Sequence, residues 1–137
     1  MLFRSLLTYF GHSSQSTLEF NLDNPENYKY SGKFPVFLVN GCGAGNLFIL
    51  DSIRLRGSYG ISEKYVIAKP LRGGIAFVAS TSLGVVNYLN LYTEEFYNQL
   101  TKVSYGQTLG KIISNVVDTL ISRYTFNDFF EIGRAHV

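Results

Sequence analysis

Two residues in this chain have the chemistry of a nucleophile and its base. Cys42 stands in Asn40-Gly41-Cys42-Gly43-Ala44-Gly45, and His12 stands in Gly11-His12-Ser13-Ser14. A thiol becomes a strong nucleophile once an imidazole takes its proton, and such a pair can carry an acyl group as a thioester. Cys42 is the one cysteine of the sequence, so no internal disulfide can form. His12 is the one histidine outside the last seven residues, which leaves the usual Cys/His zinc sets short of ligands. No metal and no cofactor is expected.

Each residue taken alone has a plainer reading. An unpaired cysteine is most often a small buried hydrophobe, and a turn histidine often does no more than bond to backbone. The glycines beside Cys42 weigh the other way. An inert core cysteine needs no flexible neighbours, whereas a nucleophile whose adjacent amides must reach an oxyanion benefits from them. A glycine-rich turn after a strand also resembles a phosphate cradle, but no Lys-Ser or Lys-Thr follows it and no helix signature opens directly behind it. Nucleotide binding is therefore disfavoured. Ser80-Thr81-Ser82 forms a third small polar stretch, for which ordinary turn chemistry is the plainer reading.

The elements that must position these residues follow from hydrophobic pattern. Leu6 to Phe10 and Phe34 to Val39 are apolar runs that read as buried strands, and Ile75 to Ala79 reads as a third. The long stretch from Gln15 to Lys33 carries turn signals at Asn24-Pro25 and Ser31-Gly32, and a connection of that length tends to hold a short element of its own. Residues 46–60 show no period. A helix is predicted over 61–69, with Ser58 or Ser62 as its cap, Glu63 in its first turn and Pro70 as its stop. Two helices follow. Tyr88, Tyr92, Phe96 and Leu100 mark the first, with Glu94, Glu95 and Asn98 off that stripe. Leu109, Ile112, Ile113, Val116, Val117, Leu120 and Ile121 mark the second. Strands alternating with helices in this order predict an α/β layer fold around a mostly parallel sheet. Ligands of such sheets sit at the carboxyl ends of the strands, and His12, Cys42 and Ser80 to Ser82 all lie just past such an end.

Composition excludes several classes. Hydrophobic residues make up 46% of the sequence and charged residues 16%, a globular balance far from disorder. The net charge is +2 and the basic residues do not cluster, so neither nucleic acid nor an anionic membrane is an expected partner. No apolar run approaches the ~20 residues that span a bilayer. The two ends read as sequencing-adapter translations, Met1 to Ser5 at one side and Glu131 to Val137 at the other. Natural sequence is then expected over 6–130, one domain or part of one.

Three blocks together resemble one family: Tyr9-Phe10-Gly11-His12-Ser13, Leu38 to Gly45, and Gly73 to Thr81. They are similar to the gingipain family of caspase-fold cysteine peptidases, and within it to the sortase-like members of the bacterial type IX secretion system. The similarity runs from Leu6 to about Ile113 and corresponds to the later part of the catalytic domain. It implies a three-layer caspase-like fold, with His12 as general base and acid and Cys42 as nucleophile. The Cys42 amide would serve the oxyanion hole. A glycine usually follows the histidine in the family and supplies a second amide. Ser13 stands there in this sequence and keeps the N–H while restricting φ.

By analogy with related folds, an extended substrate peptide is expected beside Ser80 to Gly84, with Ser80 and Thr81 in contact with it. The resemblance further implies a protein or peptide substrate, type IX secretion components as partners, and an extracellular or cell-surface location. It places the earlier strands of the fold, and any acid that orients the histidine, outside this stretch. A non-catalytic member that binds a protein partner or a C-terminal secretion signal is the alternative.

Overall fold

Strand β1 (Leu6–Phe10), strand β2 (Val36–Asn40), helix α1 (Ile61–Ile67), strand β3 (Ala76–Ala79), helix α2 (Val86–Asn98) and helix α3 (Leu109–Arg123) follow one another along the chain. The computed structural model describes residues 5–19, 24–28, 33–48, 59–67 and 72–124. Residues 1–4 and all of 131–137, the end of the helix predicted over 61–69 with its Pro70 stop, and most of the predicted 46–60 loop with the Ser58 cap candidate lie outside them. The described chain divides after Gly84 into a sheet unit and a helical unit.

In the sheet unit the three strands are parallel, in the order β1-β2-β3, with Leu6 paired to Val36 and Val36 to Ala76. All five residues of β2 are buried, as its near-continuous apolar run requires. On one face Phe37 and Val39 join Leu18, Ala44, Ala79 and two α1 residues, Ile61 and Tyr65, in a single cluster. The Tyr65 ring meets Phe37 edge-on at 4.5 Å and lies 5.3 Å from Phe77. Burying side chains of this size contributes roughly 1.5–3 kcal/mol each, so this cluster holds α1 on the sheet.

Several expectations shift. The first strand is not buried like the second. Among the described strands it pairs with β2 alone, and Leu7 is 48% and Phe10 60% exposed. Strands β2 and β3 start one or two residues later than their apolar runs. The β1–β2 connection does hold a short element of its own, as its length suggests, in the 3-10 turn Pro25–Asn27. Ser62 does not cap α1, because it lies inside the helix with its hydroxyl buried and unpartnered. Gly60 takes the cap position instead and donates its N–H to the Glu63 carboxylate at 2.8 Å, half of a capping box.

In the helical unit, Ile112, Val116 and Leu120 are the buried face of α3, and the Thr108 hydroxyl caps it by accepting the Lys111 N–H. Tyr92 and Phe96 are buried on α2, and burial pushes the Tyr92 phenol well above its usual range. Past Asn98 the helix loosens into a π turn over Gln99–Val103, ended by the Ser104 N–H donating to the Gln99 carbonyl at 2.8 Å.

Glu95 lies off the aromatic stripe by spacing, yet it is only 5% exposed. Its carboxylate accepts from Gln99 Nε2 at 2.8 Å and from Arg123 Nη1 at 3.1 Å. The chain of bonds continues, since Ser104 Oγ donates to Gln99 Oε1 and Asn115 Nδ2 donates to Ser104 Oγ. This polar line ties α2, the π turn and α3 together. Glu95→Ala is expected to destabilise the protein by about 2 kcal/mol. That falls below the loss for a fully buried pair because Arg123 is 59% exposed and stays solvated. A urea-unfolding midpoint measures it.

Candidate active site

The β1–β2 register sets His12 and Cys42 in step. Phe10 pairs with Asn40 at the ends of the two strands. His12 lies two residues beyond Phe10, and Cys42 two beyond Asn40. The thirty-residue spacing of the two functional groups is thus the register offset of the two strands. Bonds past the strand ends keep them in step. The Gly11 N–H donates to the Asn40 carbonyl at 3.2 Å, and the Ser13 hydroxyl donates to the Cys42 carbonyl at 2.9 Å.

Glycine is required where these exits touch. A Cβ on Gly41 would collide with Ser13 Oγ and come within 2.8 Å of the Gly11 carbonyl oxygen. Gly43 adopts φ +61°, a left-handed conformation that turns the chain immediately after the cysteine. The turn is then sewn to the exit of β3. The Gly43 N–H donates to the Ser82 carbonyl at 2.7 Å, and the Gly45 N–H to the Ser80 carbonyl at 2.9 Å. Three parallel strands therefore deliver three polar exits to one rim.

The Cys42 side chain is half-buried. Its sulfur accepts the Gly84 N–H at 3.4 Å and lies 4.0 Å from the Gly84 carbonyl oxygen. Neither the Cys42 N–H nor the Ser13 N–H has an acceptor among the described residues. The two residues that carry these amides are joined by the Ser13–Cys42 bond. A cleft of about 370 Å³ opens here, lined by Ser13, Gln15, Cys42, Asn46, Thr81 and Ser82 among others.

The remaining candidates fall on either side of this cleft. Thr81 lines it. Ser80 does not, being buried at 2% exposure with its hydroxyl donating to the Ser82 carbonyl and accepting the Ser82 N–H. Its geometry is that of a residue holding the turn, and Ser82 and Leu83 take the wall position beside Thr81. The inward backbone groups at Ser80, Ser82 and Gly84 are committed to the cysteine turn or its sulfur, a pattern visible only in three dimensions. The His12 side chain is exposed and does not line the cleft. What holds the residue is its carbonyl, which accepts the Tyr9 hydroxyl at 2.7 Å. Among the described residues no group of three or more His, Cys, Asp or Glu side chains is placed to hold a metal ion. No helix among them is long and apolar enough to cross a membrane.

Comparison with known proteins agrees with the fold. The structure of the complex of Porphyromonas gingivalis RgpB pro- and mature domains superposes with a TM-score of 0.74 at 17% identity. The match covers 96% of this chain and 32% of that one, so the chain spans about a third of its length. At that identity the likeness is one of fold, the α/β arrangement of the gingipain and caspase-like proteins. No curated protein matches significantly. The sequence profile of peptidase family C25 matches residues 4–133. With nearly its whole length matched, the chain belongs to peptidase family C25, the gingipain family of cysteine peptidases.

Proposed function

We propose that this chain is the later part of a cysteine peptidase domain, natural over 6–130, in which Cys42 and His12 form a catalytic dyad. The observation that carries the reading is the register of β1 and β2, which sets the two exits side by side, with the Ser13–Cys42 bond closing them over a cleft. In the proposed reaction the Cys42 thiolate attacks a peptide carbonyl carbon, and His12 holds the proton taken from the thiol. The carbonyl oxygen becomes an oxyanion facing the Cys42 and Ser13 amides. Collapse breaks the C–N bond, His12 gives its proton to the leaving amine, and a thioester remains. Water attacking that thioester completes hydrolysis and regenerates the thiol. An amine in its place completes transpeptidation, the sortase-like outcome.

Thr81 and Leu83 are the wall residues offered to the substrate, and the Gly84 N–H is a donor that a thiolate at Cys42 keeps. The substrate class is a protein or peptide, and the family resemblance supports a secreted or cell-surface setting with type IX components as partners. One observation favours the non-catalytic alternative: the His12 side chain is exposed and absent from the cleft lining.

Active-site labelling separates the two readings. A peptidyl acyloxymethyl ketone is expected to modify Cys42, mapped by mass spectrometry, and His12→Ala is expected to slow that labelling by at least about 100-fold. Labelling at the same rate with and without the imidazole would remove His12 from the chemistry and leave the partner-binding reading.

A further inference from the structure

The Tyr9 hydroxyl does more than decorate the edge of β1. It donates to the His12 carbonyl at 2.7 Å and accepts the Glu19 N–H at 3.1 Å. Between those two residues the chain makes a closed turn, with the Ser14 N–H donating to the Thr17 carbonyl at 2.9 Å and Ser13 bridging Leu18. His12 and Glu19 are the two flanks of that turn, and one phenol oxygen spans them. Gly11 makes room for it. A Cβ there would stand 2.6 Å from Tyr9 Oη and 2.9 Å from Cζ. The ring itself is seated independently, since it packs on the core cluster beside Phe37 and Val39.

We propose that Tyr9 is the positioning residue for His12. Among the described residues the imidazole has no hydrogen-bond partner of its own. The direction in which it leaves the chain is therefore set by its backbone, and that backbone is clamped on one side by Gly11 bonding Asn40 and on the other by the Tyr9 phenol. The inference rests on the dyad reading and adds a residue to it: the base is aimed by a backbone clamp fixed to β1, outside the cleft.

Tyr9→Phe tests it in the full chain, because the ring stays seated while the two bonds vanish. The expected result is a fall in kcat of about tenfold with KM unchanged within twofold, the signature of a misaimed group rather than lost binding. The melting temperature should hardly move, and Gly11→Ala should reproduce the kcat loss by displacing the phenol. Hydrogen exchange at the Glu19 amide should speed up about tenfold in Tyr9→Phe, and equally in Tyr9→Phe combined with Cys42→Ala, where no chemistry occurs. Wild-type kcat in Tyr9→Phe, or an equal loss of kcat and of thermal stability, would overturn the assignment while leaving the dyad standing. Activity persisting in Cys42→Ala alone would instead remove the dyad, and the assignment with it.

Discussion

Cys42→Ala is expected to abolish acyl transfer, with a loss beyond about 10⁴-fold in kcat, because no other thiol exists in the chain to form the thioester. The fold should survive. The sulfur is half-buried and its described contacts are the N–H and carbonyl of Gly84, so the substitution empties little volume. Peptide binding should therefore persist, and the variant should retain the substrate it no longer cleaves. A fluorogenic peptide assay run beside an equilibrium binding measurement gives both quantities. Turnover within tenfold of wild type would rule out covalent catalysis at this residue, whatever the family resemblance implies.

Gly41→Ala should be nearly as damaging for a different reason. The new methyl group meets two atoms of the β1 exit, the Ser13 hydroxyl and the Gly11 carbonyl oxygen. The hydroxyl can rotate away, but only by giving up its bond to the Cys42 carbonyl. The carbonyl is backbone and cannot yield without moving β1 from β2. We expect a cost of about 2 kcal/mol from overpacking. A separation of His12 from Cys42 on the scale of an ångström costs on the order of 100-fold in kcat/KM. Urea unfolding and steady-state kinetics on the same preparation distinguish the two effects. A stable variant with wild-type kinetics would show that the two exits need not touch for function.

These two substitutions bear on different links of one argument. The first removes the reacting atom, and the second leaves every reacting atom in place and disturbs only their spacing. The dyad reading expects both to fail. A partner-binding protein would tolerate the loss of the thiol and object only to the steric change.

Much of this was legible in the residues. Strand β2 is apolar at four of its five positions, so its complete burial follows from hydrophobicity alone. The stripes of α2 and α3 carry their own period, and the small polar residues after each strand announce the exits. The family's three blocks brought His12 and Cys42 forward as a pair without any coordinates. The cap of α1 went to Gly60 rather than Ser62, because the Glu63 carboxylate can reach back to the N–H that a cap must satisfy.

What the linear chain could not state is which groups are already spent. Ser80 and Thr81 look alike as neighbours in a polar exit, yet one hydroxyl is turned into the loop and the other residue faces the cleft. Glu95 lies off its helix's aromatic stripe and is buried, because α3 brings Arg123 against it. Leu7 and Phe10 look like core and are exposed, because burial depends on what lies beside a strand and not on the strand. Residue types and local period determined the strands and the helices, since those depend on each segment's own chemistry. Only tertiary structure decided the register that aligns the exits carrying His12 and Cys42 and the Ser13–Cys42 bond between them, because each is a relation between segments distant along the chain.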